Sequence, residues 1–453
     1  MNFAEHFVRQ SIGLVVVVLI GFFQPLAAQT ETLTPSGVIP GAISCAPSGN
    51  GIGHMECLEY STSGLLIGLS WQAPPAASAR AEINDTIDVE NKPPFTAAVG
   101  TLIAAPACAA ENDDVGTIAC LLVSQSTSGE FTLQGVAFAP PVDKVGTTTP
   151  TGLMQLGTEP ANAVIGNPSC STAGSAGAIV CAIPINGQLI GVGFEPKANI
   201  ATALTTLLSG ASITGNPSCA AAANTHVIPS TCAIREGSSL VGFAFTFTPP
   251  PSPVIATEDT LTLGTMTFSG DPSCAIPADG PVAAMTSFVA TCGIVSGTAL
   301  FGISFDPIDA IPTSATASHT TGLQSLGNAP GTNSWTGHIS CAGIADFRRG
   351  IDPNLNNFPN ASPNKNLVNC AATSATANVF AVTFDPRLPS SRGVTGPFGG
   401  NAPANLSCLF LNVDHDNTYC GGITQAGASV GYTIPVGILP SGVVPVLQQF
   451  VSN

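Results

Sequence analysis

Charge is what this chain has least of. Asp, Glu, Lys and Arg make up 8% of 453 residues, only 11 of them basic, and the formal charge is −16. Without a basic stripe to neutralise phosphates, no nucleic acid partner is expected, and the same lack disfavours anionic membrane surfaces. Trp and Tyr are scarce, at two and three, against 22 Phe. A sugar ring is usually held against an aromatic face, so two indoles cannot supply one platform per repeat. Leu-rich stretches carrying Glu and Lys at helical spacing are missing, which argues against a helical solenoid. No Cys-x-x-Cys occurs and the six histidines are scattered, so a thiolate metal centre is not expected. Low charge can signal disorder, but a hydrophobic content of 44% points to a chain with a core. Gly 48 and Pro 38 indicate many tight turns.

What is present begins with an export signal. Arg9 gives the N-terminus a positive charge. An apolar stretch follows from Ile12 to Phe23, and Pro25, Leu26, Ala27 and Ala28 lead into polar Gln29 and Thr30. This is a signal peptide pattern over residues 1–28, cut after Ala28. The apolar stretch is too short for a comfortable membrane span, so no transmembrane anchor is expected. The compartment implied is secreted or periplasmic, and oxidising.

The remainder, 29–453, is expected to be one domain of seven repeats, starting near residues 35, 98, 153, 205, 260, 323 and 394. The clearest unit is Gly-Asn-Pro-Ser-Cys at 166–170 and 215–219 and Gly-Asp-Pro-Ser-Cys at 270–274. Weaker copies end at Cys45, Cys108, Cys341 and Cys408. Each of these cysteines has a second one downstream: Cys45/Cys57, Cys108/Cys120, Cys170/Cys181, Cys219/Cys232, Cys274/Cys292, Cys341/Cys370 and Cys408/Cys420. All 14 are used. Connectivity cannot be deduced strictly from sequence, but pairing within each repeat is the one scheme that recurs seven times. Ala often follows the second cysteine, as at Ala182, Ala233 and Ala371.

A third element then carries a glycine and an aromatic residue on one face of a strand, as in Leu240 to Phe245 around Gly242. The glycine is expected to let a neighbouring chain approach closely. A fourth element, Leu-x-x-Leu-Gly or a relative, precedes each Ser-Cys motif, as in Leu153 to Gly157. Repeats of about 60 residues built from short strands fit four-stranded propeller blades. The fold expected is all-β, a seven-bladed β-propeller with one disulfide within each blade. The C-terminal tail, 433–453, is expected to pair with segment 31–44 and seal the ring.

The succession of Leu-x-x-Leu-Gly, Gly-Asn/Asp-Pro-Ser-Cys, Val/Ile-x-Cys-Ala and Gly-x-x-Leu-x-Gly-x-x-Phe resembles the blades of bacterial tandem-repeat propeller lectins, in a divergent, disulfide-bearing form. The resemblance covers residues from about 35 to 435. It implies a closed propeller with sugar sites between adjacent blades. The chain departs from that pattern in having only Trp71 and Trp335, so no residue carries over as a sugar ligand.

The function expected is a secreted recognition module that binds carbohydrate through a propeller face or clefts between blades. Its partners are glycans or another extracellular protein. The alternatives are a structural or surface-associated repeat protein without a small-molecule ligand, and a glycoside-active propeller enzyme. The last is least favoured. No Walker loop or His-Glu-x-x-His occurs, and no nucleophile elbow is expected. The carboxylates that glycoside cleavage would need are Glu111, Asp113, Asp114, Asp306, Asp346, Asp352 and Asp385, and Asp306 and Asp385 recur before a proline as turn residues do. No cofactor, metal or catalytic residue is expected. The segment Asp414-His415-Asp416-Asn417 offers oxygen ligands for calcium but reads better as a solvated turn. Asn84, Asn360 and Asn405 begin N-x-Ser/Thr sequons.

The sixth repeat is the irregular one. Its cysteines lie 29 residues apart, against 11 to 13 in five other copies. The insertion holds Phe347, Arg348, Arg349, Asn354, Asn356, Asn357 and Phe358, which combine aromatic area, scarce cations and amide donors and acceptors suited to hydroxyl-rich ligands. These are the expected ligand-binding residues, since long insertions on rigid repeat scaffolds often form the binding face.

Overall fold

The computed structural model describes residues 30–33, 38–47, 54–61, 66–72, 82–88, 101–111, 117–138, 151–173, 178–208, 212–221, 230–248, 254–276, 290–305, 320–329, 334–343, 368–376, 378–384, 386, 392–398, 405–410, 417–423 and 429–435. The protein is an all-β β-propeller. The described strands form seven antiparallel sheets, numbered here in chain order. Sheet 4 shows the plan plainly: Ser218–Ala220 is innermost, followed outward by Ser230–Glu236, Ser239–Thr248 and Val254–Thr265. The other innermost strands are Val38–Pro47, Ala107–Ala110, Ser169–Thr172, Ser273–Ala275, Trp335–Gly343 and Asn405–Phe410. Sheet 2 adds Thr101–Leu102 beside its second strand, and sheet 3 splits its outer strand into Ile200–Ala201 and Thr205–Leu208.

The cysteines pair as the repeat implied, always between the innermost strand of a sheet and the next. The bonds are Cys45–Cys57 in sheet 1, Cys108–Cys120 in sheet 2, Cys170–Cys181 in sheet 3 and Cys219–Cys232 in sheet 4. Cys274–Cys292, Cys341–Cys370 and Cys408–Cys420 follow in sheets 5, 6 and 7. The second member of every pair is fully buried: Cys57, Cys120, Cys181, Cys232, Cys292, Cys370 and Cys420 all sit within the sheet stack. No cysteine is left free. Each pair is directly opposite in register, with Cα atoms 3.9 to 4.1 Å apart. This is the close, non-hydrogen-bonded kind of antiparallel pair. The first cysteine's N–H therefore turns away from its own sheet, toward the inner edge. An open inner edge would leave such donors unsatisfied.

The serine before the cysteine supplies the acceptor, from one sheet to the next. Cys45 N donates to Ser407 Oγ, Cys108 N to Ser44 Oγ, Cys219 N to Ser169 Oγ, Cys274 N to Ser218 Oγ, Cys341 N to Ser273 Oγ and Cys408 N to Ser340 Oγ, all at 2.8 to 2.9 Å. The recurring Ser-Cys dipeptide is thus a link between neighbouring sheets, and it carries sheet 7 back onto sheet 1.

Other recurring small residues make room for the next sheet. A Cβ on Gly135, Gly242 or Gly302 would lie 2.5 to 2.6 Å from the ring of Phe194, Phe305 or Phe384 in the following sheet. The glycine and aromatic of the third element are therefore socket and knob between successive sheets. The fourth element works likewise: Gly157 faces Leu204, and Gly264 faces Leu323. The small residue after the second cysteine leaves space for the next disulfide. A Cβ on Gly421, which follows Cys420, would lie 2.8 Å from Cys45 Sγ, and one on Gly293, which follows Cys292, would lie 3.3 Å from Cys341 Sγ. Core clusters accordingly span sheet pairs, such as Leu121, Leu133 and Val123 of sheet 2 with Ile179, Ile183 and Phe194 of sheet 3.

One expectation needs rephasing. The Leu-x-x-Leu-Gly element opens each sequence repeat, but it is the outermost strand of the preceding sheet: Met154–Glu159 pairs with Phe131–Phe138 of sheet 2. Each repeat therefore straddles two sheets. For the same reason the last sheet takes its outer strand from the N-terminus. Thr30–Leu33 pairs antiparallel with Ser429–Pro435, from Thr30 opposite Tyr432 to Leu33 opposite Ser429. The closing contact is thus made by strand Ser429–Pro435 rather than by the length of the tail; residues 436–453 lie outside the described residues. Residues 1–28 also lie outside them. Among the described residues no helix is long and apolar enough to cross a membrane. Seven disulfides fit an oxidising compartment.

Candidate functional site

The up-and-down course of each sheet defines two faces. Connections from first to second strand and from third to fourth emerge on one, here called the lower face. The hairpins between second and third strands, and the connections between sheets, emerge on the upper face.

On the upper face, the Asn or Asp of the Gly-Asn/Asp-Pro motif joins three successive sheets. Asn167 N donates to Asn216 Oδ1 at 2.7 Å, and Asn216 Nδ2 donates to Asp271 Oδ2 at 2.7 Å. Arg235, at the end of the second strand of sheet 4, closes the array. Its Nε and Nη2 donate to Asp271 Oδ1 at 3.1 and 2.9 Å, its Nη1 to Phe268 O and its Nη2 also to Thr214 O. The pair is part-exposed, at 20% for Arg235 and 33% for Asp271. Sequence reasoning missed this seam. The signal was available, because Asn167, Asn216 and Asp271 hold the same motif position and Arg235 is one of 11 basic residues.

At the lower face, strands Trp335–Gly343 and Val368–Ser374 bound the sixth-repeat insertion in the chain. Its base is held by Cys341–Cys370 and by register pairs from Ile339 opposite Ala372 to Gly343 opposite Val368. The residues expected to bind ligand, Phe347, Arg348, Arg349, Asn354, Asn356, Asn357 and Phe358, lie outside the described residues.

The other candidates fall as follows. The cysteines are structural and offer no thiol for chemistry, since all are held in disulfides. Trp335 is buried, with its indole N–H donating to Gly327 O at 3.2 Å and its ring edge-on to Phe380 at 5.8 Å. It is committed to the core between sheets 5 and 6 and offers no open platform. The backbone of Trp71 lies in strand Leu66–Gln72. Glu111 is buried and ion-paired to Lys197 Nζ at 3.2 Å across sheets 2 and 3. Glu56 and Glu59, fully buried in strand His54–Ser61, were not anticipated as core residues.

Asp113, Asp114, Asp306, Asp346, Asp352 and Asp385, and Asp414 to Asp416, lie outside the described residues, and Asn417 begins strand Asn417–Ile423. Among the described residues no group of three or more His, Cys, Asp or Glu is placed to hold a metal. The letters of a nucleophile elbow do occur, against expectation, at Gly427-Ala428-Ser429-Val430-Gly431. Ser429 begins an antiparallel strand and pairs with Ile423 and Leu33. An elbow needs a sharp strand-to-helix turn after the serine, and from Ser429 the chain runs on as strand to Pro435.

The sequence matches no protein-family model and no curated protein. Among solved structures it is similar to a triple-arginine mutant of AofleA from Arthrobotrys oligospora, at 10% identity and a TM-score of 0.40, covering 79% of this chain and 87% of that one. It is also similar to SapL1 lectin in complex with alpha methyl fucoside, at 8% identity and a TM-score of 0.39, covering 80% and 97%. A mutant of Aleuria aurantia lectin in complex with alpha-methyl-L-fucoside matches at 8% and 0.37, covering 90% and 99%. The propeller fold rests on the strand pairings of the chain itself and not on these likenesses.

Proposed function

We propose that the chain is an exported recognition module, built on one closed ring of seven blades, whose ligands are glycans. The carrying observation is the fate of the recurring residues. Ser, Gly, Phe, Cys and the motif Asn or Asp are consumed by links and sockets between sheets, so among the described residues the recurring positions leave no spare set of recognition groups. Binding then depends on what does not repeat, and the sixth insertion concentrates it: two arginines, two phenylalanines and a cluster of asparagines between Cys341 and Cys370. The disulfide at its base limits the entropy lost on binding. The N-terminal pattern over 1–28 and the seven disulfides support export.

The test is a glycan array covering neutral and acidic sugars, probed with intact protein, with heat-denatured protein, and with a variant lacking residues 348–366. Binding by the intact form alone is expected, with the deletion variant still folded by thermal melt. Binding retained after deletion would move the site to the clefts between sheets. A blank array would favour the second reading, a structural or surface-associated repeat protein. That reading has its own support in the commitment of Trp335 to the core.

A further inference from the structure

We infer that the seam between sheets 2 and 3 is the place where the ring opens. The second copy of the motif reads Ala104-Ala105-Pro106-Ala107-Cys108. Ala107 stands where the other six copies have the serine that accepts the next sheet's cysteine N–H. It has no oxygen to offer Cys170, the next cysteine in the ring. Ala105 stands where Asn167, Asn216 and Asp271 link three successive sheets on the upper face. This one copy therefore lacks the serine oxygen and, at the motif position, the side-chain amide that Asn216 donates to Asp271, while it keeps a backbone N–H of the kind Asn167 donates to Asn216.

Among the described residues, the polar side-chain link between sheets 2 and 3 lies at the lower face. Lys197 Nζ sits 3.2 Å from Glu111 Oε2 and donates to Thr117 Oγ1 at 2.6 Å. Lys197 is 43% exposed, so the link is open to screening by salt. The neighbouring seam between sheets 3 and 4 shows the contrast. It carries the Ser169 link, the Asn167–Asn216 link and a buried Ser171–Ser230 hydroxyl pair at 2.6 Å. Parting sheets 2 and 3 from the upper face would uncover an apolar cleft lined by Leu121, Val123, Ile179 and Ile183, and the ion pair would act as its hinge-side tether.

Hydrogen exchange on the full, disulfide-intact chain tests this by comparing matched inner-strand peptides. Amides of 107–110 and 169–172 are expected to exchange at least about 3-fold faster than those of 218–220 and 273–275, and faster still in molar salt. Ala107→Ser restores an acceptor and is expected to slow exchange at 169–172 by about 5-fold, the effect of one hydrogen bond. Ser218→Ala is expected to speed exchange at 273–275 by a similar factor, which keeps the comparison informative should either variant shift global stability. Equal exchange at all inner strands, or an Ala107→Ser variant unchanged at 169–172, would overturn the inference.

Discussion

A hydroxyl, a missing Cβ and a methyl group account for most of what recurs in this chain. Ser before Cys is retained for an acceptor oxygen, Gly in the third strand for the volume of a phenylalanine from the next sheet, and Ala or Gly after the second Cys for a disulfide. These roles differ in what a substitution costs. Gly242→Ala would place a Cβ 2.5 Å from Phe305, whose ring is fully buried. A cost of about 2 kcal/mol is expected from overpacking. Phe305→Leu in the same chain should recover part of it, because the two sites are in contact and couple. Gly187, by contrast, has open space around it and φ of +75°. Gly187→Ala should cost about 1 kcal/mol through backbone strain, and the Phe305 change should not relieve it. Urea midpoints of the single and double variants check both, and purely additive Gly242 and Phe305 effects would contradict the socket account.

At the scale of the element, each disulfide staples an innermost strand to the second. The innermost strands of sheets 4 and 5 are only three residues long, so these depend most on the staple and on the serine of the neighbouring sheet. Replacing Cys219 and Cys232 together by Ala is expected to cost about 3 kcal/mol, and replacing Cys341 and Cys370 about 3.5 kcal/mol, since the closed loop grows from 13 to 29 residues and loop-closure entropy grows slowly with length. Denaturant titration of the two double variants measures the difference. A much smaller cost for the longer loop would mean that the insertion already holds its own ends together.

For the whole molecule, closure rests on two ends of the chain about 400 residues apart meeting in one sheet. Deleting residues 30–33 leaves the edge of Ser429–Pro435 open. The expected result is a lower melting temperature and concentration-dependent association, because an unpaired edge is a template for another chain. Light scattering and thermal melts report both, and an unchanged, monodisperse variant would show that the N-terminal strand is dispensable for closure.

Local pattern was enough to read the repeat, the cysteine pairs and the glycine–aromatic strand, because each is written in neighbouring residues and obeys the two-residue period of a strand. It was also enough to single out the sixth insertion, which is a matter of length. Chain order alone left open where one sheet ends and the next begins. A repeat that starts with Leu-x-x-Leu-Gly looks complete in one dimension, and only the hydrogen-bonded ladder assigns that element to the sheet before it. The Ser-Cys links and the burial of Glu56, Glu59 and Trp335 were out of reach, since each depends on contacts between separate repeats or on which face of a strand a neighbour covers, and of the Arg235 seam only the recurring motif position was legible. A sequence states what each residue can donate, accept or fill. The tertiary structure decides which partner is within reach.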